Sequence, residues 1–324
     1  MTSSPVPSPA PALVVGEALT DLLVDEAAGI RRALPGGSPA NVALGLGRLG
    51  HPVRLATRVG RDALGGQVRS HLRDSGVLLT PGSVTGEPTS TATATLDASG
   101  AATYTFDITW SPAAGAMAAL RSGPPAHLHT GSIAAVLPPG ADAVLAAVRW
   151  TAPRATVSYD PNLRPDLTGS AEDLRERVET LVAASDVVKA SDEDLAWLYP
   201  GVDPAKAAQR WADGRGPALV VLTGGARGAR AWWRSGSHEV PAPRVAVADT
   251  VGAGDAFTSA LLSVLLGAGV LGAAPACRDR LRAATAGDRL PPVLAGALDL
   301  AARAAALTCT RPGADPPTAA ELGR

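Results

Sequence analysis

The chain has 324 residues, enough to bury the core of one large α/β domain or of two smaller ones. A formal net charge of −1 leaves neither the basic footprint of a nucleic-acid binder nor an acidic tail. Two cysteines, Cys277 and Cys309, stand in no C-x-x-C pair, which argues against a zinc site or disulfide framework and for a reducing, cytoplasmic compartment.

In chain order, "MTSSPVPSPAP" lacks the basic start and apolar run of a signal peptide, and residues 1–11 read as a disordered tail. "ALVVGEALTDLLVD", from Ala12, reads as a buried strand that runs into polar positions. "SPANVALGLGRLG" reads as a helix opened by Ser38, with Pro39 at its first position and Gly50 closing it. "VRLATRVG" is the next strand, and "DALGGQVRSHLRDSG" the next helix. Between Thr89 and Phe106, two β-rich runs flank "DASG", the signal of a hairpin standing apart as a small sheet. Strands follow at "AHLHTGS", "ATVSYDPN", "DVVKAS" and "ALVVLTGG" with helices between them, and "GARAWWR" with "HEVPAPRV" forms a late antiparallel hairpin. This alternation predicts a mainly parallel sheet covered on both faces. The Gly-, Ala- and Pro-rich run from Gly267 to Pro292 reads as a surface excursion. No stretch reaches the ~18 apolar residues of a membrane span.

Several motifs are decoys. "GLGRLG", Gly45 to Gly50, matches G-x-G-x-x-G, but it closes a helix and precedes a strand, whereas dinucleotide binding needs the reverse order. Neither Lys189 nor Lys206 follows a glycine, so there is no Walker A loop. His127 and His129 share a strand face without a visible third metal ligand, and Trp232-Trp233 reads as strand packing.

"DTVGAGDAFTSALL", Asp249 to Leu262, is different. Gly252-Ala253-Gly254 can turn tightly before a helix whose buried stripe is Ala256, Phe257, Ala260, Leu261 and Val264. Free N–H groups at its first turn would hold an anion, and Asp255 beside that anion suits a general base for a hydroxyl attacking a phosphate. An acid that merely caps the helix would explain Asp255, but not the small residues before it or Asp249. In "LPGGSPANVA", Gly36-Gly37 permits a close backbone approach, and the Asn41 amide can donate to and accept from a polyol. Asp21 could accept from the same hydroxyls; the plain alternatives are a capped turn and a solvent-facing acid.

Together, "GGSPANVALGLGRLG" and "DTVGAGDAF" resemble the PfkB, or ribokinase-like, family of carbohydrate kinases, over about residues 12–317. "SYDPNLRP", "VVKASDEDLAWL" and "LTGGARGA" fall between them in the family's order, and the set looks most like the bacterial fructokinase branch, close to 2-keto-3-deoxygluconate kinases. The resemblance implies a three-layer α/β/α sandwich with a mainly parallel sheet and a small β-sheet lid, from about 17–36 and 86–110, that often forms a homodimer contact. Residues 318–324 are left as a tail. It further implies Asp255 as catalytic base, Gly252, Ala253 and Gly254 as anion hole, and Asp21, Gly36, Gly37 and Asn41 as sugar contacts. Thr223, Gly225 and Gly228 match a nucleotide loop, and Arg164 lies where a charge stands near the phosphates. Asp249, Thr308 and Gly313 match a loop for a monovalent cation such as K+.

One departure stands out. The family's N-x-x-E, linked through water to Mg2+ and phosphate, is here Ser191-Asp192-Glu193-Asp194, with the shorter Asp194 as its acid. The expectation is therefore an ATP- and Mg2+-dependent sugar kinase, a fructokinase first, acting on neither nucleic acid nor membrane. A 2-keto-3-deoxygluconate kinase, ribokinase or nucleoside kinase is the alternative, and a silent kinase-fold regulator the rival from another class. A nicotinamide dehydrogenase would need glycines that "VVGEALTD" lacks.

Overall fold

The computed structural model describes residues 10–25, 29–96, 102–111 and 115–324. Most of the expected N-terminal tail and the "DASG" turn lie outside the described residues. The first apolar run divides into two strands, β1 (Ala12–Val15) and β2 (Leu19–Asp25), that enter different sheets. The division falls at Gly16, where an added Cβ would lie 2.2 Å from the Pro39 ring.

The large sheet also takes β4 (Val53–Ala56), β5 (Val77–Leu79), β8 (His127–Gly131), β9 (Thr156–Asp160), β10 (Val187–Ser191), β11 (Leu219–Thr223), β12 (Ala229–Trp233) and β13 (Gly236–Val240). Its order is β13-β12-β11-β10-β9-β8-β1-β4-β5. The pairs from β5 to β11 are parallel, and the late hairpin β12–β13 adds an antiparallel edge. The small sheet combines β2 with β3 (Ile30–Gly36), β6 (Thr91–Leu96) and β7 (Ala102–Asp107), within the expected lid.

Period-2 alternation sorts the large sheet's side chains onto two covered faces. Val14 and Val187 join one apolar cluster with α1 (Ser38–Arg48), α9 (Ala253–Gly267) and α11 (Pro292–Thr308). Leu13, Val15, Val157 and Val188 join the other, with α3 (Gly115–Arg121), α4 (Gly140–Thr151), α6 (Ala171–Ala183), α7 (Asp192–Leu198) and α8 (Pro204–Asp213). Trp232 and Trp233 divide between these clusters, as strand packing predicts. A short helix, α5 (Pro165–Thr168), follows β9, and α2 (Ala63–Asp74) precedes β5.

Three expectations are corrected. Helix α1 starts one residue early, with Gly37 as its N-cap and Pro39 in second place, so Ser38 does not cap it. The run from Gly267 to Pro292 is no loose excursion: it contains α10 (Pro275–Ala284), whose Leu281 is fully buried. There Arg278 reaches the buried Asp186 at 2.5 Å and also bonds the Ala155 carbonyl. The presumed C-terminal tail packs down, with Leu322 buried and Arg324 donating to the Ser263 hydroxyl.

Candidate active site

The carboxyl ends of the parallel strands meet the lid, the place where open α/β sheets bind ligands. Helix α9 starts there. Gly252 is its N-cap at φ +76°, and a Cβ on it would lie 2.6 Å from Ala314. Ala256 donates the helix's first i→i−4 bond, to the Gly252 carbonyl, so the amides of Gly254 and Asp255 lie ahead of the ladder. Of the expected anion-hole residues, Ala253 already spends its N–H on the Thr250 carbonyl at 3.2 Å.

Asp255 is 8% exposed and is gripped from α1. Ser38 Oγ donates to its Oδ1 at 2.6 Å, and Asn41 Nδ2 to its Oδ2 at 2.8 Å. Spaced three apart, these donors share one face of the first turn of α1. The helices approach closely because Gly45 of the decoy fingerprint has no side chain: a Cβ there would lie 2.2 Å from Ser259 Oγ. Asn41 was expected to face a sugar, yet here it holds the expected base. Ser38 was missed, hidden behind the capping role its place suggested.

On the lid side, Asp21 in β2 packs over Gly36 in β3, where a Cβ would lie 2.1 Å from Asp21 Oδ2. Burial pushes the Asp21 carboxyl up to about 6; Arg164 opposes this and Asp255 adds to it. Gly37 sits at φ +99°, and a Cβ on it would lie 2.6 Å from the Glu17 carbonyl oxygen. The Glu17 side chain is buried and accepts from the Ala134 amide at 3.1 Å. Burial lifts it to about 7, against hydrogen bonds that favour its charge and with Asp255 raising it slightly. Sequence reasoning missed Glu17 as well; an acid two residues past an all-apolar strand was the available signal.

The expected nucleotide residues gather at the ends of β10 and β11. Thr223 ends β11, Gly225 (φ +56°) and Gly228 (φ +88°) shape the loop that follows, and Arg227 pairs with Asp192. Ser191 caps α7 in a reciprocal box with Asp194. Asp194 takes Ser191's amide and hydroxyl at 2.8 and 2.6 Å and Leu163's amide at 2.7 Å. It thereby ties "KASDED" to "DPNLRP". The Arg164 side chain is exposed and bonds the Asn162 and Leu163 carbonyls.

Behind the α9 turn, Asp249 accepts from Val251 at 3.0 Å and from Gly313 at 2.8 Å. The third member of the expected cation loop is not brought to it: Thr308 is fully buried and donates to Ala304 within its own helix. His127 and His129 both bond Ser158 inside the sheet, and burial pushes each down to about 3. Among the described residues, no cluster of three or more acidic, His or Cys side chains could by itself hold a metal ion.

Free amides at a helix start, a gripped carboxylate among them and an acid-lined lid opposite are the parts of an enzyme that moves a phosphoryl group onto a hydroxyl. Residues 13–320 match the pfkB family carbohydrate kinases, and the chain belongs to that family. It is 35% identical to a fructokinase of Rhizobium leguminosarum bv. trifolii over 78% of this chain and 79% of that one. A Klebsiella pneumoniae fructokinase is also 35% identical, over 79% and 85%. Among solved structures, a Xylella fastidiosa fructokinase with bound ATP is similar at TM-score 0.76 and 28% identity, covering 94% of this chain and 93% of that one. A double-mutant Vibrio cholerae O395 fructokinase with fructose, ADP and potassium ion bound gives 0.73 and 27%, covering 95% of each. The chain is thus an ATP-dependent sugar kinase of the fructokinase type, on a ribokinase-like fold. Among the described residues, no helix is long and apolar enough to cross a membrane.

Proposed function

We propose that the substrate is fructose and the product fructose 6-phosphate, with Asp255 as the general base. The grip of Ser38 and Asn41 on Asp255 at the start of α9, facing Asp21 across the lid, is the observation that carries this reading. Asp21 accepts from sugar hydroxyls. The hydroxyl oxygen of C6 attacks the γ-phosphorus while its proton passes to Asp255, and the bond from that phosphorus to the β–γ bridging oxygen breaks to release ADP. The amides of Gly254 and Asp255 receive the charge of the transferring group, aided by the helix dipole. Thr223, Gly225, Gly228 and Ser191 line the nucleotide, and Arg164 lies near its phosphates or the sugar.

Asp160 Oδ1 is buried without a hydrogen-bond partner, and no preformed metal cage exists among the described residues. The Asp194 carboxylate fits a Mg2+ that arrives with ATP and is held through water, rather than an all-protein site. Bound there, Mg2+ would offset phosphate charge. A K+ would sit by Asp249 and Gly313. Exposed Ile30, Leu34 and Tyr104 on the lid support a homodimer through that sheet. Two unpaired thiols fit the cytoplasm.

A coupled ADP-release assay over fructose, glucose, ribose and 2-keto-3-deoxygluconate tests the substrate, with phosphorus NMR locating the new ester. Fructose should give the highest kcat/KM. A sugar acid in first place would move the reading to the 2-keto-3-deoxygluconate kinases, with the exposed Arg164 as its partner. No turnover with any sugar would end it.

A further inference from the structure

The sequence offers no reason for a lysine inside a buried parallel strand. In β10, Val187 and Lys189 point to the α9 face, and Val188 and Ala190 to the opposite cluster. Lys189 is 6% exposed, and its Nζ lies 3.0 Å from Oδ2 of Asp160, which is fully buried. Thr258 joins this pair to the anion hole: its hydroxyl is 3.0 Å from the Gly254 carbonyl and 3.4 Å from Asp160 Oδ2.

Gly254 carries the decisive observation. Its φ is not in the left-handed region, so backbone freedom does not explain the glycine. A Cβ there would lie 2.9 Å from Lys189 Nζ. The second glycine of the Gly-Ala-Gly turn makes room for an ammonium group, which stands directly behind the turn.

Resting on the kinase reading above, we propose that Lys189 is a positioning residue for phosphoryl transfer, its buried ammonium held by Asp160 behind Gly254 to set the anion-hole turn and add positive charge to it. Charge in a water-poor site acts strongly on a developing anion. Burial alone would lower the lysine's affinity for its proton, but Asp160, Asp194 and Asp255 outweigh it, so the group remains an ammonium. His129, on β8 beyond the intervening β9, is pushed down by burial and by Lys189, and stays neutral. The ammonium therefore faces three carboxylates and a neutral imidazole. A purely structural ion pair would need neither the turn nor a glycine at its tip.

Lys189→Met, Asp160→Asn and the double variant separate the two roles. Each is measured for thermal stability, for kcat and KM, and for Mg·ADP affinity with and without fluoroaluminate, a mimic of the phosphoryl group in flight. Lys189→Met should lower kcat about 100-fold with fructose KM and plain ADP affinity within about threefold. It should also lose the tightening that fluoroaluminate gives the wild type. Because the single variant strands a buried carboxylate and can fail to fold, the double variant decides. Its fold should recover, yet kcat and the fluoroaluminate effect should stay low. A double variant with wild-type kcat and full tightening would reduce the pair to a structural bridge and overturn the proposal, as would a wild type that gains nothing from fluoroaluminate. A wild type that binds fluoroaluminate but ignores fructose would refute the substrate reading alone, and the binding arm would still decide Lys189.

Discussion

Gly36→Ala adds one methyl group where the lid meets the proposed sugar site. Gly36 has ordinary strand φ, so alanine strains no backbone there. The new Cβ would lie 2.1 Å from Asp21 Oδ2 and 3.3 Å from Leu19 Cδ1, the first far inside contact distance. Residues 19–25 pair antiparallel with β3 and parallel with β6, so the backbone is held on both sides and the Asp21 side chain must swing away. A hydrogen bond to a charged group contributes about 1.5–3 kcal/mol, which converts to a rise in fructose KM of about 10- to 150-fold. That contact exists before and during transfer, so kcat and ATP KM should change little. Initial rates at saturating ATP with fructose varied give the number. The pH dependence supplies a second reading. Burial raises the Asp21 carboxyl to about 6, so in the wild type it gains a proton and loses acceptor strength as pH falls through 6. Fructose KM should therefore rise below pH 6 in the wild type and be flatter in Gly36→Ala. A variant with wild-type KM across that range would refute the role given to Asp21 and its glycine.

Asp255→Asn keeps the shape and both hydrogen-bonding neighbours but removes the proton acceptor. Turnover should fall by about 100-fold or more with ATP binding retained, and near-normal turnover would remove Asp255 as the base. Glu17→Gln tests the second acid through stability. The native Glu17 carboxyl titrates at about 7 against 4.5 unfolded, so stability present below 4.5 is lost as pH rises through 7. The variant should melt higher than wild type at pH 8 and nearly equal to it at pH 5, with about 3 kcal/mol as the upper bound; equal melting at pH 8 would show that Glu17 carries no such penalty. Arg278→Leu strands Asp186, whose side chain is only 4% exposed, and should cost about 3–5 kcal/mol in urea unfolding, with the Asp186→Asn double variant partly restoring it. An unchanged midpoint in the single variant would return residues 267–292 to the status of a surface excursion.

The layers of the fold were legible because buried parallel strands and amphipathic helices write different periods. The strand order was not: β1 sits between β4 and β8, a partnership that no local pattern encodes. At the site, Asp255 and its glycines were legible because small residues before an acid at a helix start are unusual. Lys189 and Glu17 were not, since a charge flanked by apolar residues looks the same whether it faces water or a partner from a distant strand. Ser38 was lost to a shift of one residue. The sequence favours serine as N-cap, but Gly37 takes that position at a positive φ and frees the hydroxyl for Asp255. Gly254 was noticed for the wrong reason, as backbone freedom, when the space it leaves is what matters.

The triplet Gly36-Gly37-Ser38 links these pieces. Gly36 lies under the Asp21 carboxylate, Gly37 turns against the Glu17 carbonyl, and Ser38 donates to Asp255. Three successive residues thus touch three acid-bearing positions, and they join the end of a lid strand to the start of α1. Because the peptide chain is continuous there, a displacement of β3 cannot leave Ser38 in place without altering φ and ψ at Gly37, the residue of the three with a left-handed backbone. The end of the lid strand and the hydroxyl that holds the base are therefore separated by Gly37 alone. A Cβ on Gly37 would lie 2.6 Å from the Glu17 carbonyl oxygen and 3.0 Å from the Ala18 Cα, so a substitution there would strain both its own left-handed backbone and the connection that leads into β2 and Asp21.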